Sequence, residues 1–207
     1  MDQAIAALRA ADPVLAGLID AVGATPPEPR PDRPPPGEHY AALVRTITGQ
    51  QLSVRAARAI WTKLLAAFDG RPPTPTEVLD ADPEELRAAA GLSRAKVSYL
   101  RSLAEHVETG ELELDRLEEL SDSEVISELT AIRGLGEWSA HMFLMFQLER
   151  PDVLAAGDLG IRRAVQLAYD LPALPAPAEL EALGERWRPY RTTACRVLWR
   201  SLEATPQ

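Results

Sequence analysis

A short glycine-containing turn lies between two helical patterns in the C-terminal half of this 207-residue chain. The turn reads Gly134-Leu135-Gly136, and the flanking patterns cover residues 122–131 and 137–148. Two glycines permit a turn tight enough to point several backbone N–H groups toward one outer surface, beside the N-terminus of the next helix. Such a surface binds an anion such as a phosphate without basic side chains. The turn therefore predicts a helical hairpin with an anion-binding surface.

The rest of the chain shows the same helical periodicity, interrupted by residues that typically begin or end helices. Alanine and leucine dominate, aromatic residues make up only 5%, and no segment shows the alternation of a strand. N-cap residues, glycines and prolines delimit the predicted helices. These helices cover residues 2–22 with a break near Asp12-Pro13, 38–49, 53–68, 76–80, 83–90, 93–109, 115–119, 122–131, 137–148, a helix opened by Asp158, 178–187 and 190–202. We therefore expect an all-α fold.

The pattern of helices and prolines predicts four segments. Residues 1–24 form N-terminal helices that pack on the C-terminal lobe, and residues 25–37 form a proline-rich linker, because proline fixes the chain out of helix. Residues 38–130 form a central helical lobe. Residues 131–207 form a second lobe with the hairpin and Asp158.

The composition excludes several classes of protein. One cysteine, Cys195, excludes an internal disulfide and a four-cysteine metal site. No apolar run has the length of a membrane span, and the N-terminus lacks a signal-peptide pattern. We expect a soluble, cytoplasmic protein with no membrane partner.

The net charge of −9 argues at first against a protein that binds nucleic acid. The negative charge is concentrated, however, in residues 76–130, which contain 15 acidic and 5 basic side chains. Residues 1–75 and 131–200 each contain one more basic than acidic side chain. The acidic segment is expected to face away from DNA, and few phosphate contacts predict modest affinity.

Several motifs occur along the chain in a characteristic order. They are Thr48-Gly49-Gln50-Gln51-Leu52-Ser53, Gly91-Leu92-Ser93-Arg94-Ala95-Lys96, the glycine hairpin followed by Gly157-Asp158, and Arg186-Trp187-Arg188-Pro189-Tyr190-Arg191 with Val197-Leu198-Trp199. In this order, residues 38–202 resemble the helix–hairpin–helix DNA glycosylase superfamily, and within it the 3-methyladenine DNA glycosylase II type of the alkylation-repair branch. The resemblance implies a two-lobed helical fold with a DNA cleft between the lobes. It also implies an enzyme of base excision repair that removes alkylated purines, such as 3-methyladenine and 7-methylguanine, from duplex DNA.

The resemblance assigns the catalytic role to Asp158. Hydrolysis of an N-glycosidic bond passes through an oxocarbenium-like sugar, and a nearby carboxylate stabilises that cation or activates water. Asp158 also suits a helix N-cap, which any aspartate can provide without chemistry. The two roles are compatible, and the resemblance, with the hairpin upstream at the family's spacing, favours the catalytic one.

Position 138, two residues after the second hairpin glycine, indicates the reaction subtype. Relatives that also cleave the DNA strand carry a lysine there, which forms a Schiff base, whereas this chain has Trp138. The resemblance therefore implies a monofunctional N-glycosylase whose base pocket contains Trp138, Met142 and Trp199. Met142 stands where some relatives have tyrosine. From helix position alone, either tryptophan could instead be a core residue.

Six residues are the predicted contacts to DNA. They are Gln51, Leu52, Arg133, Gly134, Gly136 and Arg163. One side chain of the Gln51-Leu52 pair would fill the gap left by the flipped base, and the hairpin with Arg133 would bind backbone phosphate. Two alternatives stay open, namely that the glutamines satisfy helix ends and that Arg163 pairs with acidic residues.

The resemblance also implies a structural monovalent cation at the hairpin, bound by the backbone oxygens of Thr130, Ile132 and Leu135. The resemblance implies no redox cofactor or catalytic metal, and the three histidines lack the spacing of metal ligands. The expected partner is duplex DNA containing damaged bases, bound by a monomer.

Two other functions remain open from the sequence. One is a glycosylase of the same fold for uracil, hypoxanthine or N1-methyladenine, distinguished by the pocket around Met142 and Trp199. The other is a non-enzymatic hairpin protein that binds DNA structure and releases no base.

Overall fold

The computed structural model describes residues 2–23 and 34–204, and every regular element within these two ranges is helical. The all-α prediction is therefore confirmed. In chain order the elements are α1 (Asp2–Ala11), α2 (Pro13–Val22), α3 (His39–Gly49), α4 (Val54–Ala67), α5 (Pro75–Asp80), α6 (Pro83–Ala90), α7 (Arg94–Glu108), a 3₁₀ helix (Leu114–Glu118), α8 (Asp122–Ala131), α9 (Glu137–Phe146), α10 (Leu159–Ala168), α11 (Pro177–Gly184), a 3₁₀ helix (Glu185–Trp187) and α12 (Arg191–Ala204).

The chain divides into two compact units. Unit 1 contains residues 1–28 and 149–207, and unit 2 contains residues 29–148. Unit 1 thus holds α1, α2 and α10–α12, whereas unit 2 holds α3–α9. Residues 25–33 of the predicted linker lie outside the described part of the chain.

A buried carboxylate organises unit 1. Asp12, 1% exposed, ends α1 and caps α2, and its Oδ1 accepts the backbone N–H groups of Val14 and Leu15. Its Oδ2 accepts hydrogen bonds from Tyr169 Oη at 2.5 Å and from Trp187 Nε1 at 2.9 Å. Burying a charge is costly unless hydrogen bonds satisfy it. The two side-chain donors tie the α1–α2 corner to the end of α10 and to the second 3₁₀ helix. Helix α2 also packs against α12.

Unit 2 is built around α3, α7 and α9, whose buried faces supply most of its core. The predicted punctuation is present: Ser53 and Ser93 accept the N3 backbone N–H groups of α4 and α7, and Gly91 ends α6 in the left-handed conformation. Lys96 Nζ donates to the carbonyl oxygen of Thr48 at 2.7 Å. A cation at a helix C-terminus is favourable, so Lys96 fixes the end of α3.

Some boundaries differ from the prediction. The hairpin lies in unit 2, so the structure divides the chain after residue 148 rather than after residue 130. The physical reason is packing, because α8 packs on α9 and α9 on α3. The predicted helix at 178–187 consists of α11 and a 3₁₀ helix, and the one at 115–119 is a 3₁₀ helix. Over residues 2–23 and 34–204, no helix combines the length and apolarity of a membrane span.

Candidate functional site

The hairpin of unit 2 connects α8 to α9 through Ile132–Gly136. The N–H of Leu135 donates to the carbonyl of Ile132 at 3.0 Å, which closes the turn. Gly134 has φ +95°, and a Cβ there would lie 2.2 Å from Cγ of Tyr99 in α7. Only glycine fits this position, since both the backbone conformation and the close approach exclude a side chain. The inner side of the hairpin is therefore packed on α7.

The outer side of the hairpin is open. Gly136 is exposed and precedes the first turn of α9 as its N-cap, where no side chain accepts the helix N–H groups. A Cβ on Gly136 would meet no atom within 4 Å. Uncapped N–H groups at the start of a helix form a site for an anion. Arg133 is exposed on the same hairpin and borders a groove of about 540 Å³ along α6 and α7.

The turn between α3 and α4 contacts the hairpin through one glutamine. Gln50 Nε2 donates to the carbonyl oxygen of Gly134 at 2.7 Å and lies 3.5 Å from Ser139 Oγ. Gln51 and Leu52 are exposed, and Gln51 has φ +57°, a conformation that residues other than glycine seldom adopt. The turn thus presents Gln51 and Leu52 to solvent while Gln50 anchors it.

Asp158 in unit 1 is the N-cap of α10. Its Oδ1 accepts the backbone N–H of Ile161 at 2.8 Å and the indole N–H of Trp199 at 2.9 Å. Asp158 and Trp199 are both half-buried. The capping role considered from the sequence is therefore present, and the structure also brings Asp158 together with one predicted pocket residue, Trp199.

The remaining predicted pocket residues lie on α9 in unit 2. Trp138 is 46% exposed, which excludes the interpretation of Trp138 as a core residue. Met142, one turn later, is half-buried. The other face of α9 supplies Ala140, Phe143 and Leu144 to the core. Trp138 therefore presents ring surface to solvent on a rigidly packed helix.

Arg163 is exposed on α10 and donates to Gln166 Oε1 at 2.6 Å, so this partner is an amide rather than the acidic residue considered above. Two of the three histidines hold structural positions: His39 is buried 3.1 Å from Glu118 and edge-on to Phe143, and His106 contacts the Ser102 carbonyl. In the described ranges, no group of three His, Cys, Asp or Glu side chains has the arrangement of a metal site.

Comparison with known proteins identifies the family. Residues 44–189 match the model of the HhH-GPD superfamily base excision DNA repair protein, so the chain belongs to this superfamily. A relative from Schizosaccharomyces pombe named DNA-3-methyladenine glycosylase 1 is 37% identical over 166 residues, which is 79% of this chain and 72% of that protein.

Solved structures agree with the relative. The S. pombe 3-methyladenine DNA glycosylase in complex with abasic DNA has a TM-score of 0.87 and 33% identity, covering 99% of this chain and 100% of that one. The DNA-3-methyladenine glycosidase of Bacillus halodurans has a TM-score of 0.80 and 36% identity, covering 95% and 87%. The resemblance drawn from the sequence motifs is confirmed.

Sequence reasoning missed the residues that hold the site together. Gln50 was considered only as part of a loop pair, and Lys96 only as part of a motif, yet each binds a carbonyl of a distant element. Asp152 and Arg191, which join the loop before Asp158 to α12, were not singled out. The available signal for Gln50, Lys96 and Arg191 was their place inside the quoted motifs, whereas Asp152 lies in none of them.

Proposed function

We propose that this protein is a monofunctional DNA N-glycosylase of base excision repair that hydrolyses the N-glycosidic bond of alkylated purines in duplex DNA. The observation that carries the proposal is the Asp158 carboxylate, held by two donors at the start of α10. The family match and the named 3-methyladenine glycosylases support it. The substrates are 3-methyladenine, 7-methylguanine and similar bases.

The chemistry needs one carboxylate and water. Breaking the N-glycosidic bond builds positive charge on the sugar, and a fixed carboxylate stabilises that charge in the transition state. An alkylated purine such as 7-methylguanine is already cationic, so it leaves with little acid assistance. We therefore include no redox cofactor or catalytic metal in the proposed reaction.

The hairpin is proposed to bind the DNA backbone. Its outer surface offers the first N–H groups of α9 beside Gly136, and Arg133 adds a cation. Backbone N–H groups and a helix N-terminus bind phosphate without reading sequence. Such a contact suits a repair enzyme, which must bind any sequence that contains damage.

A glycosylase must take the target base out of the helical stack, because the glycosidic bond is not accessible there. The exposed Gln51-Leu52 pair is proposed to fill the gap, since Gln50 is committed to the hairpin. Trp138 is proposed to stack on the extruded base, and an aromatic face also attracts a cationic base. Met142 and Trp199 complete the proposed pocket residues, and Arg163 remains a proposed DNA contact. That the cleft lies between two lobes stays a prediction.

A monovalent cation at the hairpin is also proposed. The Ile132 carbonyl accepts one hydrogen bond, from Leu135, and a carbonyl oxygen has a second lone pair for a cation. The carbonyls of Thr130, Ile132 and Leu135 would bind it. The cation would neutralise carbonyl dipoles near the phosphate. The proposed partner is damaged duplex DNA bound by a monomer.

Base release from defined duplexes tests the proposed function. The wild type should release 3-methyladenine and 7-methylguanine and leave an abasic site, and Asp158→Asn should release neither at a comparable rate. Duplexes with uracil, hypoxanthine or N1-methyladenine in the same sequence measure the lesion range. Release of no base from any duplex, with DNA binding intact, would identify a non-enzymatic binding protein instead.

A further inference from the structure

The loop that leads to Asp158 runs along α12 and is fixed to it at its beginning. Arg191 Nε and Nη2 donate to the two carboxylate oxygens of Asp152 at 2.8 and 3.0 Å. Thr192 Oγ1 donates to the Arg150 carbonyl at 2.7 Å and accepts the Val153 N–H at 3.0 Å. The Asp152–Arg191 pair is bidentate and mostly buried, a geometry that holds both partners in one orientation. These hydrogen bonds therefore fix the start of the loop to the first turn of α12.

The middle of the loop also packs on α12. Cys195 is fully buried, and its Sγ lies 3.8 Å from the Val153 carbonyl. Burial raises the pKa of the Cys195 thiol to about 12, and the nearby charge of Asp158 contributes to the same direction. The thiol thus stays protonated and serves as a packed contact.

The end of the loop is fixed by the indole of Trp199. Trp199 stands two helical turns after Arg191 on α12, and its Nε1 donates to Asp158 Oδ1 at 2.9 Å. The same oxygen accepts the Ile161 N–H at 2.8 Å. One helix, α12, therefore holds both ends of the loop and contacts the carboxylate itself.

Gly160 leaves room for this hydrogen bond. A Cβ at position 160 would lie 3.0 Å from Asp158 Oδ1, 3.3 Å from Trp199 Cδ1 and 3.4 Å from Trp199 Nε1. The backbone of Gly160 is not left-handed, so the requirement for glycine here is one of space. A methyl group would press on both partners of the hydrogen bond at once.

We propose that Trp199 is a positioning residue that acts through Asp158, and that Gly160 is the residue that makes room for it. The inference rests on the proposed function and deepens it, because it assigns the indole N–H of Trp199 a role apart from ring stacking. A carboxylate held by two fixed donors need not reorient when the sugar becomes cationic, and such preorganisation is the main source of electrostatic catalysis.

The first test is spectroscopic and independent of activity. In a ¹H–¹⁵N spectrum of the wild type, the Trp199 indole resonance is assigned by its loss in Trp199→Phe. Asp158→Ala should shift that resonance upfield, since the indole loses its acceptor, and should leave the resonances of Trp61 and Trp187 in place. An unmoved Trp199 resonance would overturn the proposal even if the protein is an active glycosylase.

The second test separates rate from affinity. Trp199→Phe keeps an aromatic ring but has no N–H, and Gly160→Ala keeps the indole but crowds it. Each should slow single-turnover release of 7-methylguanine by about 10-fold, as expected when a charge-assisted hydrogen bond is lost, and should leave the dissociation constant for the same duplex within about 2-fold. A stacking role alone predicts that Trp199→Phe retains the rate, and that result would overturn the proposal.

Two controls complete the design. Trp187→Phe removes the other indole–carboxylate hydrogen bond of unit 1, to Asp12 at 2.9 Å, so it matches the chemical change away from Asp158. It should lower the melting temperature without slowing release by the folded protein. In the Asp158→Asn background, Trp199→Phe should cause little further loss of rate. An undiminished further loss would show that Trp199 acts independently of Asp158.

Discussion

The side-chain amide of Gln50 donates a hydrogen bond of 2.7 Å to the carbonyl oxygen of Gly134, a residue 84 positions further along the chain. The bond connects the turn after α3 to the hairpin before α9, both within unit 2. The two features that we propose to contact DNA are thus one connected structure. Because Gln50 is hydrogen-bonded to the hairpin, its exposed neighbours Gln51 and Leu52 are the residues that we propose to enter the duplex.

The first prediction concerns this connection. Gln50→Met has a similar volume but no donor, so the half-buried Gly134 carbonyl loses a hydrogen bond worth about 1 kcal/mol. We expect that loss in the free energy of unfolding in urea, together with weaker binding to undamaged duplex measured by fluorescence anisotropy. Gln51→Met, at an exposed neighbour, should leave the unfolding free energy unchanged. Equal stability and affinity for Gln50→Met and the wild type would contradict the proposed coupling.

A second prediction separates capping from catalysis at Asp158. Asp158→Asn keeps an oxygen that can accept the N–H groups of Ile161 and Trp199 but carries no charge, whereas Asp158→Ala loses both. Asp158→Asn should slow base release by about 10²-fold or more while its melting temperature stays near that of the wild type. Asp158→Ala should in addition lose about 1 kcal/mol of stability. Near-wild-type turnover by Asp158→Asn would leave Asp158 only as a cap.

Local features of the fold were predictable because their signals are local. Ser53, Ser93 and Asp158 each cap the helix that the sequence assigned to them, since the capping hydrogen bond reaches only the next three residues. The end of α6 at Gly91 was predictable for the same reason, because the left-handed conformation of a C-cap glycine is also a local property.

The connections between elements were not predictable from one sequence. The bonds from Gln50 to Gly134, from Lys96 to Thr48 and from Arg191 to Asp152 span 84, 48 and 39 residues. Nothing in the local composition encodes the partner at such separations. The grouping of the hairpin with unit 2 likewise depends on packing against α3 and α7. The exposure of Trp138 could not be decided from helix periodicity, because α9 is apolar on most sides.

The third prediction concerns the two hairpin glycines, which the structure distinguishes. Gly136→Val should place a side chain on the open outer surface and weaken binding to damaged and undamaged duplexes alike, since the proposed contact is to phosphate. Its melting temperature should fall less than that of Gly134→Val, because a Cβ at position 136 meets no atom within 4 Å and the cost is limited to a poorer N-cap. Gly134→Val should instead destabilise unit 2 through its clash with Tyr99.

The matched control is Gly17→Ala, since Gly17 lies on α2 and a Cβ there also has no neighbour within 4 Å. It should leave DNA affinity unchanged. The salt dependence of wild-type binding should be shallow, since few side-chain cations neutralise phosphate. A steep dependence, or unchanged affinity in Gly136→Val, would count against backbone binding by the hairpin.

A fourth prediction concerns acid stability. Burial would raise the pKa of Asp12, but hydrogen bonds from Trp187, Tyr169 and two backbone N–H groups outweigh it and hold the pKa below its ordinary value of 3.8. The ionised carboxylate therefore stabilises the fold above pH 3.8, and this stabilisation is lost as pH falls through the lower, folded-state value.

Asp12→Asn should lower the free energy of unfolding at neutral pH and flatten its decline below pH 3.8. Denaturant unfolding followed by circular dichroism measures both effects at pH values between 2 and 7, which lie on both sides of the ordinary carboxyl pKa of 3.8. Asp20→Asn, at an exposed carboxylate paired with Arg9, is the control and should follow the wild-type curve. If the unfolding free energy of Asp12→Asn declined with falling pH as steeply as that of the wild type, groups other than Asp12 would be responsible for the acid sensitivity.

The last prediction tests the reaction subtype through Trp138. Because this position holds no lysine, borohydride added during turnover should trap no covalent enzyme–DNA adduct, and the abasic strand should stay intact until heat or alkali cleaves it. Trp138→Ala should slow excision by removing the stacking surface, a loss of about 1–3 kcal/mol for a base on an aromatic ring. Its folding stability should change little, because Trp138 is 46% exposed. Trp138→Phe, which keeps a ring, should recover most of the rate. A trapped adduct from the wild type would show that another amine attacks the sugar and that the monofunctional assignment is wrong. Unchanged excision by Trp138→Ala would show that Trp138 is not part of the base pocket, and the monofunctional assignment would stand.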